Sequence, residues 1–217
     1  HAAAARGQQA ADGAQGGALA GAVGADQADH LAFVDLEVDA LYRLAAAGVR
    51  VPQPHICFEG VLLMDLVVDA EGNVAPRLND VALSEEVALE YHSLLVNQVV
   101  RMLCAGIIHG DLSEYNILVA EDGPVIIDLP QAIDAAANST AAEMLERDVN
   151  NLRTYFSAFA PSLKDSRFGK EIWALYESGA LRPDYALTGQ VVLDEHLADV
   201  DAVLQQVELA IKEDEIR

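Results

Sequence analysis

Residues 109–118 read HGDLSEYNIL, and the chain runs on through VAEDGPVIID to Asp128. Asp111, Asn116 and Asp128 are oxygen donors of the kind a magnesium–phosphate site uses. Magnesium takes hard oxygen ligands, typically one or two carboxylates, with phosphate and water completing the shell. Phosphoryl transfer asks mainly for positioning and charge neutralisation, because the transferred group spreads its charge over its oxygens. An Asp near the nucleophile, an Asn five residues on and an Asp after the next hairpin meet that demand. The five-residue step lets one loop turn Asp111 and Asn116 into the same cleft, and a hairpin with its turn signal at Asp122-Gly123 carries Asp128 back beside them. A lone Asp in a loop is ordinarily a turn or cap residue. The joint pattern of HGDxxxxN, a DG hairpin and IID is much harder to obtain by accident. His109 reads as a brace for the backbone rather than a substrate contact.

The flanking elements follow from hydrophobic spacing. A helix is predicted over 28–47, with Phe33, Leu41 and Leu44 on one stripe, Glu37 in the same row, and Gly48 as a left-handed stop. Glu37 is either an edge residue reaching water or a carboxylate aimed inward at a cation. VRVPQPH is extended because residues before Pro avoid the helical region. HICFE and VLLMDLVV read as the strands of a hairpin around Gly60. Ser84 caps a helix to about Ala105, with Glu85 and Glu86 in its first turn and Tyr91, Leu95, Val99, Met102 and Leu103 at helical spacing. A short strand precedes His109, and helices are predicted near 140–159, 169–178 and 194–215. Residues 1–27 are Ala, Gly, Gln and Asp without an apolar stripe, a linker or irregular segment. Their glycines contain no GxGxxG and no following GK[ST], so they do not form a phosphate loop of that type.

Composition bounds the partners. The chain has 217 residues and a net charge of −22, from 35 acidic and 13 basic side chains. That balance opposes non-specific attraction to phosphate backbones or anionic lipid, so direct nucleic-acid binding is not supported. Half the residues are apolar, enough for a sizeable core, yet no run approaches a membrane span and no signal peptide opens the sequence. Cys57 and Cys104 read as reduced core thiols, and the expected location is cytoplasmic. His1 in place of Met marks either a processed chain or part of something longer.

The strings HGDLSEYN and IIDLPQAID resemble the RIO family of atypical serine kinases and ATPases. Common protein kinases carry Lys two positions after the catalytic Asp, where this chain has Ser113, and DFG at the metal loop. Aminoglycoside and choline phosphotransferases share HGD but not SEYN or DLPQ. The RIO likeness continues in LEVDALYRLAAAGVRVPQP, GVLLMDLV and LERDVNNLRTYF, from about residue 34 to the end, and GKEIWALYESG with the acidic tail resembles a bacterial branch. The resemblance implies an α+β, protein-kinase-like fold with a mostly helical C-lobe (71–217), a remnant of the N-lobe (28–70) and the 1–27 segment before it. It implies Asp111 as the catalytic aspartate and Asn116 and Asp128 as holders of magnesium, with manganese as the alternative. Met64, Asp65, Leu66 and Val67 would form the hinge, the Asp65 carbonyl and Val67 amide meeting the adenine of ATP. Glu37 would pair with the lysine that grips the phosphates.

That lysine is not found. RIO proteins open their small lobe with a phosphate loop resembling STGKEA and a lysine-bearing strand, whereas here the lysines are Lys164, Lys170 and Lys212, all after the metal loop. Charge-assisted hydrogen bonds contribute about 1.5–3 kcal/mol each, so losing two or three weakens nucleotide binding by several orders of magnitude. Three readings stay open. The chain is an incomplete RIO-type serine/threonine kinase or ATPase acting on an unknown protein; or a nucleotide-impaired pseudokinase that binds a partner; or a small-molecule phosphotransferase of the aminoglycoside/choline kinase type. A small lobe without its covering strands would expose apolar surface around Phe58, Leu62 and Leu63 and self-associate.

Overall fold

The structure is a computed structural model, and it describes residues 38–58 and 61–190. Glu37, the 1–27 segment, the hairpin residue Gly60 and the helix expected over 194–215 lie outside the described residues.

Helix α1 occupies 38–46, with Ala40, Leu41 and Leu44 buried, and Gly48 ends it at φ +73°. The chain then runs straight into the body. Arg50 donates its backbone N–H to Gln98 Oε1 at 2.9 Å, and its guanidinium grips both carboxylate oxygens of Asp122. Strand β1 (Pro54–Phe58) pairs antiparallel with β2 (Val61–Met64), Ile56 opposite Leu63 and Phe58 opposite Val61. The second strand is shorter than VLLMDLVV suggests. After Met64 the chain turns away, held by Asp65 N–H to the Gln53 carbonyl at 2.9 Å, and Val68 makes only an isolated bridge to Val74.

Helix α2 (Glu85–Cys104) is the central post. The Ser84 hydroxyl accepts from Val87 N–H at 3.3 Å, occupying one of the orphan donors of the first turn. Leu95, Val99, Met102 and Leu103 are buried at helical spacing. Cys104 falls off that stripe and is exposed, so the expectation of two core thiols fails there; Cys57 is half-buried, and both are free. Gly106, at φ +77°, releases the chain into β3 (Ile107–Ile108), which pairs with β6 (Ile133–Asp134).

Strands β4 (Ile117–Ala120) and β5 (Gly123–Ile126) form the expected hairpin. Its register pairs Ala120 with Gly123, so Glu121-Asp122 makes the tight turn, one position earlier than the DG signal. Gly123 takes the φ of +117° as the first paired residue. Helices α3 (Ala141–Ser157) and α4 (Phe168–Glu177) complete an α+β body around one core, in which Leu145, Leu152, Phe156 and Ile172 are fully buried. No described helix is long and apolar enough to cross a membrane.

Candidate active site

The HGD loop leaves β3 and enters β4 through a single 3-10 turn, Glu114–Asn116. Ser113 stands before that turn in extended conformation, its carbonyl accepting from Asn116 N–H at 3.0 Å. The Asn116 amide donates to the Asp111 carbonyl at 3.0 Å, tying both ends of the five-residue step together. With the amide nitrogen so engaged, the side-chain oxygen of Asn116 is the atom left to act as a ligand.

His109 joins this loop to the segment carrying Asp128. It is 2% exposed; its Nε2 lies 3.1 Å from the Ile127 carbonyl, and its Nδ1 accepts from Asp111 N–H at 3.3 Å. Burial pushes the imidazole below its usual range, outweighing the Ile127 hydrogen bond and the nearby Asp111 and Asp128 carboxylates. The neutral ring with hydrogen on Nε2 satisfies both contacts. Ile127 N–H also donates to the Asn116 carbonyl at 3.0 Å. The loop and the strand end are thus cross-linked on both sides, so Asp111, Asn116 and Asp128 come from backbone segments bonded to one another. Asp128 itself has φ +68°, the one non-glycine with positive φ among the described residues. Left-handed backbone at a non-glycine costs energy and persists where its surroundings demand it.

A residue without an assigned role in the sequence reading supports the loop from beneath. Asp148 on α3 is 1% exposed and accepts from two backbone donors, Gly110 N–H at 2.8 Å and Leu112 N–H at 3.1 Å, one on each oxygen. Asn151, one turn on, donates to the Leu112 carbonyl at 3.0 Å, and Arg147 donates to the Gly110 carbonyl. Burial pushes the Asp148 carboxyl up to about 6, against the pull of the two N–H donors and Arg147. The signal was present in LERDVNNLRTYF: Asp148 shares the stripe of Leu145, Val149, Leu152 and Phe156. A carboxylate on an apolar stripe needs a partner. Gly110 completes the fit at φ +83°, where an added Cβ would come within 2.5 Å of the Gln131 carbonyl oxygen.

Among the described residues no three His, Cys, Asp or Glu side chains cluster as a metal cage. The donor set instead suits magnesium shared with phosphate oxygens, one carboxylate and one amide coming from the protein.

The expected hinge residues lie elsewhere. Met64 closes β2, half turned to solvent; the Asp65 carboxylate meets His55 Nε2 at 2.5 Å; and the Val67 carbonyl accepts from Ala75 N–H at 3.0 Å. Asp65 and Val67 line a cavity of about 520 Å³ with Arg50, Gln53 and Asp122, and that cavity includes neither Asp111, Asn116 nor Asp128.

Comparison with known proteins places this arrangement. Residues 28–167 match the RIO domain. The chain is 38% identical over 130 residues to the RIO-type serine/threonine-protein kinase Rio1 of Haloferax volcanii, covering 58% of this chain and 42% of that protein. It is 36% identical over 124 residues to the Rio1 kinase of Thermoplasma acidophilum, covering 57% of this chain and 63% of that protein. The match to the serine/threonine-protein kinase rio1 of Schizosaccharomyces pombe is 30% over 125 residues, covering 57% of this chain and 25% of that protein. The chain therefore spans less than two thirds of each of these relatives. In structure it resembles the Chaetomium thermophilum Rio2 kinase, solved as an ADP/Mg2+-phosphoaspartate complex, with a TM-score of 0.54, 23% identity and coverage of 83% of this chain and 56% of that one. That likeness makes the fold protein-kinase-like. Since the RIO domain accounts for well over half of the 217 residues and takes in the whole HGD-to-Asp148 assembly, this chain belongs to the RIO family.

Proposed function

We propose that this chain carries the phosphate-handling half of a RIO-type serine/threonine kinase or ATPase that uses ATP and magnesium. Asp111 orients and deprotonates the attacking hydroxyl, while Asn116 and Asp128 hold magnesium, manganese being the alternative. His109 and Ser113 shape the loop. Asp65 and Val67 present backbone groups to adenine beside Met64, and Glu37 receives the phosphate-gripping lysine in the complete small lobe. The lobes divide near residue 70.

The observation that carries this reading is the cross-linking of the HGD loop to the segment carrying Asp128. His109 bonds to Ile127 and Asp111, and Ile127 bonds to Asn116. The Rio2 neighbour was solved with ADP, magnesium and a phosphoaspartate, which is consistent with nucleotide use in this fold. In a version carrying the small-lobe strands, magnesium-dependent ATP hydrolysis is expected, and Asp128→Ala is expected to lower it by roughly a thousandfold, the scale of losing a transition-state charge contact. Undiminished turnover in that variant would remove the metal assignment.

A second reading, a binding module impaired in nucleotide use, is favoured by the apolar ribbon face described below and by the missing lysine. Calorimetric titration of the chain with Mg-ATP tests whether the chain holds nucleotide by itself. Micromolar binding shows a working nucleotide site without the small-lobe strands; the absence of heat leaves both readings, which turnover in the version carrying those strands then separates.

A further inference from the structure

The β1–β2 ribbon has two unlike faces. Leu62 packs against the core, and Cys57, its cross-strand neighbour, is half-buried. On the other face Ile56 stands opposite Leu63 and Phe58 opposite Val61, and each of the four is more than half exposed. Side chains alternate along a strand and cross-strand neighbours touch, so the four make one contiguous apolar surface. Their exposed portions come to roughly 500 Å², in the upper part of the range for the largest apolar patch on a monomer. Among the described residues no third strand joins this sheet.

The chemistry of the face narrows what can cover it. No Asp, Glu, Lys or Arg stands in either strand, although the whole chain carries a net charge of −22. The one imidazole, His55, is engaged by the Asp65 carboxylate at the end of the ribbon away from its turn. Two copies of so acidic a chain repel each other at a distance. The ribbon face lets them meet without burying a charge, which would cost several kcal/mol per ion. Residues 1–27, which carry no apolar stripe, offer little to lay over it.

Area points the same way. A two-stranded ribbon is marginal alone, and two ribbons packed face to face make a four-stranded sandwich with an apolar centre. Two such faces together bury roughly 1,000 Å², which just reaches the size of a specific interface. A two-fold contact also needs a surface that complements itself, and a small, uncharged, aliphatic and aromatic patch does so.

We propose that this chain forms a two-fold dimer in solution, in which the Ile56, Phe58, Val61 and Leu63 faces of two copies pack against each other. Asp111, Asn116 and Asp128 take no part in that contact, so it stands or falls separately from the phosphate-handling reading.

Sedimentation velocity of the full chain between about 1 µM and about 1 mM is expected to show a monomer–dimer equilibrium with its midpoint at tens of micromolar, as suits an interface at the small end of the range. Raising salt from about 0.05 M to about 0.5 M should tighten the dimer several-fold, because salt screens repulsion between acidic copies and spares apolar contact. Val61→Lys sets a charge in each face and should weaken the dimer by about tenfold or more. Its urea midpoint, read where both chains are monomeric, should not move. Val74→Lys changes a comparably exposed valine outside the ribbon and should leave the dimer intact. A mixture of 13C-labelled and unlabelled chain gives a readout free of any variant: filtered NOEs should link the Val61 and Leu63 methyls of one copy to the Phe58 ring of the other. A chain monomeric throughout would overturn the proposal and leave the face to a different partner. So would open-ended aggregation, a dimer that loosens as salt rises, equal losses in the two lysine variants, or intermolecular NOEs from outside the ribbon only.

Discussion

The HGD loop and the β1–β2 ribbon contain similar amounts of chain and are held in opposite ways. In the loop, Gly110 and Leu112 donate to the buried Asp148, Asp111 N–H donates to His109, and Asn116 ties back to the Asp111 carbonyl. Each bond comes from a side chain that is itself packed, so the loop has little freedom left. In the ribbon, the strands bond mainly to each other. Ile56, Phe58, Val61 and Leu63 share one face and are 55%, 66%, 70% and 58% exposed. Two-stranded ribbons are marginal alone, and a contiguous apolar face marks a surface that another element or molecule covers. Asp111, Asn116 and Asp128 therefore sit on a scaffold closed by its own hydrogen bonds, whereas the ribbon packs Leu62 on the core and leaves its other face bare among the described residues.

The contrast is most exposed to failure at Asp148. Asp148→Ala leaves two buried N–H donors without an acceptor and is expected to destabilise the chain by about 3–5 kcal/mol in urea unfolding. Asp148→Asn, which keeps one acceptor, should cost about half of that. A loss near zero for the alanine variant would remove the claim that the loop is held from below.

Acid tests the packed body next. His92 is buried, its Nε2 without a hydrogen-bond partner among the described residues. Burial sets its folded pKa at about 4, below its unfolded 6.5, so the folded state binds fewer protons between those values. Its contribution is complete above pH 6.5 and is lost as pH falls toward 4, by up to about 3 kcal/mol. Asp148 acts in the other direction. Its folded pKa of about 6 lies above the ordinary 3.8, so its contribution is complete below pH 3.8 and declines as pH rises through 6. His92→Phe should flatten the acid loss between pH 6.5 and 4, measured as the urea midpoint against pH; an unchanged slope would assign that loss to other groups.

Two glycines sharpen the comparison at smaller cost. Gly110 and Gly72 have φ of +83° and +80°, but only Gly110 has a carbonyl oxygen where a Cβ would sit, Gly72 having nothing within 4 Å. Gly110→Ala should therefore cost about 2–3 kcal/mol and Gly72→Ala about 1 kcal/mol in thermal unfolding. Equal costs would mean that the loop yields more easily than its hydrogen bonds imply. The smallest effect belongs to the ribbon. Phe58→Thr should change stability by no more than about 0.5 kcal/mol while reducing self-association in light scattering, because an exposed side chain loses little on truncation. A loss of several kcal/mol would show the face to be packed.

Most helices were legible because their apolar residues recur at helical spacing: α2, α3 and α4 lie within one or two residues of the expected spans. The left-handed stop at Gly48 was legible from its glycine. The departures are local. The DG signal is one position from the true turn because Gly123 pairs with Ala120, and β2 ends at Met64 because Asp65 bonds back to Gln53. The loop's oxygen-bearing side chains were visible in HGDLSEYN and IID, whereas its support was not, since Asp148 lies 38 residues from Gly110 and 36 from Leu112.

By itself the sequence determined the elements, their caps and the identity of the oxygen donors at 111, 116 and 128, because spacing and side-chain type are local properties. Only the tertiary structure decided what holds those donors in place and, among the described residues, which face of the ribbon is bare and which histidine lacks a partner. Those outcomes depend on which surfaces meet when the core closes. A buried hydrogen bond gains its weight from the low-dielectric surroundings that distant segments create.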